Sequence, residues 1–196
     1  MLHAVRRYCS TQQVRTNVFL IGDSVLDNSF WFQKTKHYVG IHNTGQHLQR
    51  ILPADFRVVD RSTEAVTAQR FREALKNTSP VRVPSTFAAH RHGIGYPYTG
   101  TERNGSVYVC VSNRSLRIQP NDYVFLSIGG NDALQKKPNH DIYNNVYQVI
   151  QYYQLFTRRV VYILPYPPTD ARLNGWYHGL LQAGIRSSFR SLSLED

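Results

Sequence analysis

Two short stretches of this chain carry residues of the type and setting that acyl-transfer chemistry needs. Asp23 and Ser24 stand in "IGDSVLDNSF" (Ile21 to Phe30), directly after the apolar run "NVFLIG". Asn131 stands in "SIGGNDAL", after a second apolar run, "YVFLSIGG" (Tyr123 to Gly130). A serine hydroxyl becomes a useful nucleophile when a tight strand-to-helix turn holds it beside a base and facing donors for an oxyanion. The Gly-Asp-Ser turn meets the first condition, and the amide of Asn131 is a donor suited to the third. Each residue also has a plainer reading, Ser24 as the cap of the next helix and Asn131 as the cap of the helix after "GGND". Two polar residues brought to one sheet edge by separate buried strands say more than either alone.

The elements that must position them follow from periodicity. A continuous apolar run closed by glycine, such as Asn17 to Gly22, has the pattern of a central parallel strand. "FRVVD" and "RVVYILPYPP" read as further strands, the last one stopped by prolines. Helical spacing recurs between the strands. It places His47, Leu48, Ile51 and Leu52 on one face of "NTGQHLQRIL", with Pro53 ending the helix. It also pairs Phe71 with Leu75 in "TAQRFREALKN", and Ile142, Val146, Val149 and Ile150 in "DIYNNVYQVIQYYQLF". Strands alternating with helices predict a mostly parallel sheet covered on both faces, with ligands at its carboxyl edge. Residues 79–120 interrupt this rhythm. Val107, Val109 and Val111 alternate there beside glycine and asparagine turns, predicting an inserted hairpin or long loop that overhangs the strand ends and shapes a pocket.

Composition bounds the function classes. The 196 residues suit one domain with a proper core, and a hydrophobic content of 41% excludes a disordered chain. There is no apolar run long enough for a membrane span. The net charge of +10 favours anionic partners, yet it is spread along the chain and no nucleic-acid-binding motif accompanies it. Cys9 and Cys110 are too few for a disulfide framework, which favours a reducing, intracellular compartment. Residues 1–13 form a basic tail with Arg6 and Arg7, and no acid precedes Asp23. That composition suits a mitochondrial transit peptide as well as an ordinary basic terminus, so mitochondrial and cytoplasmic locations both stay open. The Asn-x-Ser sequons at Asn77, Asn104 and Asn113 matter only on a secretory route, which nothing else favours.

"GDSVLD" resembles the first signature block of the SGNH (GDSL-type) hydrolase superfamily, and "GGND" resembles its third block, Gly-x-Asn-Asp. The two stand in the family's order, each at a strand end, and the resemblance covers about residues 16–170. It implies a flavodoxin-like three-layer α/β/α sandwich and an ester-cleaving site without a cofactor. It carries Ser24 over as nucleophile and Asn131 as an oxyanion donor. Gly22, Asp23, Asp27, Gly129, Gly130 and Asp132 complete the two motifs. "DRSTEAVTA" resembles the second block. Aligning Thr67 with that block's threonine puts Ala65 where the family has glycine, and alanine keeps the backbone N–H that donates to the oxyanion. The domain so implied runs from residue 14 to 196, with the insertion at about 79–120.

The family's last block, Asp-x-x-His, supplies acid and base, and it occurs nowhere in this sequence. Removing a triad member typically costs several orders of magnitude in rate. Of the eight histidines, His178 is nearest in sequence to the place of that block, but it lacks an acid three residues before it. His90, His92 and His140 read as exposed loop residues. No metal-ligand spacing stands out among the histidines, so no metal is expected. Three accounts of the absent block stand open: a chain cut short at its carboxyl terminus, a catalytically inactive protein keeping the fold, or a base supplied from elsewhere. The expected partner is a small-molecule ester. The competing reading is an inactive SGNH-fold component of a basic assembly such as an organellar ribonucleoprotein, held through phosphates.

Overall fold

The computed structural model describes residues 15–23, 26, 44–63, 66–84, 101–103 and 106–164. Its frame is a four-stranded parallel sheet built from β1 (Thr16–Gly22), β2 (Phe56–Asp60), β6 (Tyr123–Ser127) and β7 (Val160–Tyr162), in the spatial order β2-β1-β6-β7. Alternate residues of the strands feed two cores, as the twofold repeat of a strand requires. Phe19, Ile21, Val124 and Leu126 point to one side, while Val18 and Leu20 point to the other with half-buried Tyr123 and Phe125. Strands buried on both faces read as unbroken apolar runs, which is why β1 and β6 were visible in the sequence.

Two helices cover the first face. In α2 (Ala68–Lys76) the buried residues are Ala68, Phe71, Ala74 and Leu75. In α5 (Asn139–Gln154) they include Ile142, Val146, Val149, Ile150 and Tyr153. Burying side chains of this size contributes roughly 1.5–3 kcal/mol each relative to exposure. Tyr153 keeps its hydroxyl satisfied inside the core by donating to the Val111 carbonyl at 2.8 Å. On the opposite face lies α1 (Thr44–Ile51), whose Leu48, with Leu52 just beyond, packs against Val18 and Leu20. The layers are therefore helix, sheet, helix.

The expected apolar face of α1 needs correction. His47 is exposed and Ile51 is 64% exposed, so only Leu48 and Leu52 of the four pack inward. The contact stripe is a narrow i, i+4 pair, and Gly45 supplies the rest of the buried surface. Gln49 of the same helix reaches the outer edge of β2. Its Nε2 donates to the Phe56 carbonyl at 3.2 Å and its Oε1 accepts from Val58 N at 2.7 Å, filling backbone positions that an edge strand otherwise exposes.

Between α2 and the four-residue helix α3 (Asn113–Leu116) lies a separate antiparallel sheet. It consists of β3 (Val81–Pro84), β4 (Thr101–Arg103) and β5 (Ser106–Val109), in the order β3-β5-β4. Val111 lies beyond the end of β5. The short helix α4 (Gly130–Leu134) follows β6. No helix among the described residues is long and apolar enough to cross a membrane.

Candidate functional site

The carboxyl ends of β1, β2 and β6 are fastened to one another through their backbones. Past Gly22, Asp23 N donates to the Ser127 carbonyl of β6 at 2.8 Å. On the other side, β2 continues beyond Asp60 in contact with β1. Arg61 N donates to Leu20 O at 2.7 Å, and Thr63 N to Gly22 O at 2.8 Å. The buried Asp60 carboxylate holds the bend that follows, accepting from Ser62 N at 2.9 Å and from Ser62 Oγ at 2.5 Å. Gly22 sits at this junction. A Cβ there would lie 2.1 Å from the Ser127 carbonyl oxygen, far inside van der Waals contact.

The third motif closes the same edge. Gly129, at φ 107°, adopts a left-handed conformation that glycine tolerates without a Cβ penalty, and it occupies the cap position of α4. Asn131 therefore does not cap that helix, contrary to the plainer reading of its role. Its Nδ2 instead donates to the Val66 carbonyl at 3.0 Å, on the segment leading into α2. A primary amide carries two N–H donors. The second has no acceptor among the described residues.

Asp132 does a capping job that the motif alone did not reveal. Fully buried, its carboxylate accepts from Ala68 N at 2.6 Å and lies 3.5 Å from Gln69 N, so it caps α2 from 64 residues away in sequence. Thr67 assists locally, its Oγ1 accepting from Arg70 N at 3.3 Å. Burial raises the pKa of Asp132, an effect partly offset by the donated N–H bonds and by nearby Lys137. A carboxyl raised above its unfolded value stabilises the fold fully at pH below the ordinary carboxylate range, and that contribution is lost as pH rises through the folded value. Asp132→Asn is thus expected to remove the fall in stability that begins near pH 4, while its Oδ1 still accepts from Ala68 N. Asp132→Ala strands both donors and is expected to cost about 2 kcal/mol, or some 4–8 °C in Tm for a chain of this size. Thermal midpoints of both variants across pH 4–7 check the pair.

Behind this edge stands Tyr162 of β7, whose hydroxyl donates to the Ile128 carbonyl at 2.7 Å. Burial, with the negative charges of Asp23 and Asp132, pushes the phenol well above its ordinary value, so it remains a donor. Neither Tyr162 nor the capping role of Asp132 carried a local sequence signal, because both act across the sheet.

Of the residues singled out in the sequence, Gly22, Asp23, Gly129, Gly130, Asn131 and Asp132 come together at the ends of the adjacent strands β1 and β6. Ser24, Asp27, Ala65, His90, His92 and His178 lie outside the described residues. His140 is exposed as expected but belongs to the first turn of α5, not to a loop, with its Nε2 3.2 Å from the Asp141 carboxylate.

This topology has counterparts among solved structures. The SGNH-family esterase AlinE4 superposes with a TM-score of 0.53 at 11% identity, over 92% of this chain and 80% of that one. TesA gives 0.50 at 15% identity, over 88% and 74%. A lipolytic G-D-S-L protein from Veillonella parvula gives 0.50 at 12% identity, over 90% and 72%. This chain has the SGNH-hydrolase fold. No family model matches the sequence, and no curated protein matches it. At these identities the likeness speaks for the SGNH fold alone. The described residues of the three motif segments lie where the backbone bonds described above join the strand ends.

Proposed function

We propose that this SGNH-fold protein is a serine hydrolase that cleaves an ester through an acyl-enzyme on Ser24. The observation that carries the reading is the set of Asn131: one N–H of its amide is fixed by the Val66 carbonyl, and the other, with no acceptor among the described residues, suits a negative oxygen. Ser24 follows Gly22 and Asp23 directly, and Asp23 N is bonded to Ser127 O of the strand that delivers Asn131. In the reaction Ser24 Oγ adds to the ester carbonyl, and the proton it loses passes to a base. The alcohol then leaves, and water releases the acid from the serine. Asn131, with the backbone N–H groups of Ser24 and Ala65, holds the oxyanion. The base has no assignment within the sequence, since Asp-x-x-His is absent.

The test is labelling by a fluorophosphonate probe, which modifies activated serines. Wild-type protein is expected to label, and folded Ser24→Ala is expected not to. Absence of Ser24-dependent label in folded wild type rejects the enzymatic reading in favour of an inactive SGNH-fold protein.

A further inference from the structure

Strand β7 reaches the motif edge through one hydroxyl. Its last residue, Tyr162, stands level with Leu126 of β6, and Ile163 N donates to the Leu126 carbonyl at 2.7 Å. The ring of Tyr162 packs against the core on the α2–α5 side. Its Oη donates at 2.7 Å to the carbonyl of Ile128, the first residue past the end of β6. That carbonyl shares a rigid peptide plane with the N–H of Gly129, so the bond fixes the plane from which α4 departs. The departure is otherwise loosely held. Gly129 and Gly130 follow in succession, and glycine restricts backbone rotation least. Gly129, at the cap position, has no side chain to hold the first turn, and α4 has only five residues, too few to be stable alone.

We propose that Tyr162 is a positioning residue for the hydrolysis: its hydroxyl sets the direction in which the double glycine delivers Asn131 to the oxyanion. The inference rests on the ester-cleaving reading above and adds to it a residue from the fourth strand of the sheet. Asn131 is held by its own amide on the Val66 carbonyl at 3.0 Å, while Tyr162 holds the chain just before it. Losing the Tyr162 bond leaves the Val66 bond alone, and the amide can swing about it. Misplacing a catalytic group by about 1 Å costs up to roughly a hundredfold in rate. Burial, reinforced by the charges of Asp23 and Asp132, keeps the phenol protonated, so the donor is present at neutral pH. The plainer alternative is that a phenol packed on a core needs an acceptor, as Tyr153 does with the Val111 carbonyl at 2.8 Å. The two tyrosines differ in place. Tyr153 lies near the carboxyl end of α5, which leads into the start of β7 at the opposite edge of the sheet.

Steady-state hydrolysis of p-nitrophenyl acetate by the full chain tests it. Tyr162→Phe and Tyr153→Phe are compared in the cold with sucrose, which favours the compact state. Each variant removes one phenol–carbonyl bond and keeps the ring, so their thermal midpoints should fall by similar amounts. Tyr162→Phe is expected to lower kcat roughly tenfold to a hundredfold with KM within about twofold, the signature of a lost transition-state interaction. Tyr153→Phe should leave kcat and KM unchanged. In an Asn131→Ala background, Tyr162→Phe should cost less than about twofold more, because the group it positions is gone. Equal kcat in the two Tyr→Phe variants, or a full further loss in the Asn131→Ala background, would overturn the proposal and leave the hydrolase reading in place. So would a Tyr162→Phe chain that stays unfolded beside a folded Tyr153→Phe, since the bond is then structural. Wild-type protein without Ser24-dependent turnover overturns both.

Discussion

Asn131→Ala is expected to lower turnover of a simple aryl ester, and the rate of fluorophosphonate labelling, by roughly a hundredfold to a thousandfold, the usual range for one lost oxyanion donor. The physical reason is that charge develops on the carbonyl oxygen only as Ser24 adds. A donor already fixed in place stabilises that charge without reorganising at the moment of reaction. Asn131 is fixed in this sense through its bond to Val66 O, which connects the third motif to the segment entering α2. The fold has less at stake. Asn131 is half-buried, Gly129 and not Asn131 caps α4, and the loss of one neutral hydrogen bond costs about 1 kcal/mol. Turnover and thermal midpoint measured on one preparation separate the two effects. A large fall in rate with a small fall in midpoint is the expected pattern. An unchanged rate with a lowered midpoint contradicts the oxyanion role.

Gly22→Ala is expected to destabilise the protein by more than 3 kcal/mol, beyond the roughly 1–3 kcal/mol typical of one methyl group too many in a well-packed core. The added Cβ would meet a backbone oxygen 2.1 Å away, not the movable end of a side chain. Relieving the clash means parting β1 from β6 where Asp23 N bonds Ser127 O, and moving Gly22, whose carbonyl accepts from Thr63 N on the β2 side. Those same bonds join the first motif to the second and third, so the site should be lost with the stability. A denaturant midpoint shifted far down, or failure to accumulate as folded protein, is the expected result. A variant that folds with near wild-type stability would show that the strands do not approach as described.

The parts of the fold that could be read from the sequence are those set by local pattern. Strands β1 and β6 are buried on both faces and so appear as apolar runs, and α2 and α5 carry wide apolar stripes in Phe71, Leu75, Ile142 and Val149. Helical spacing alone admits His47 and Ile51 to the apolar face of α1, whereas the packing uses only Leu48 and Leu52. The candidate site was legible as motifs but not as a network. Asp132 reads as a motif residue and acts as the cap of a helix 64 residues earlier, and Tyr162 holds Ile128 O from a third strand. Such bonds link side chain to backbone across large sequence separations, and no periodicity encodes them. The base is a different matter: Asp-x-x-His, the block that would supply it, is absent from the sequence.

If Ser24 is the nucleophile it forms an acyl-enzyme, and that intermediate can be trapped. Full-length protein is mixed with a large excess of an aryl acetate, quenched in acid within the first turnover, and its peptides are mapped by mass spectrometry. One acetyl group is expected on the peptide containing Gly22 and Asp23, located by fragmentation on Ser24, and absent from Ser24→Ala. Folded wild-type protein that carries no acetyl group, or carries it on another residue, would contradict it.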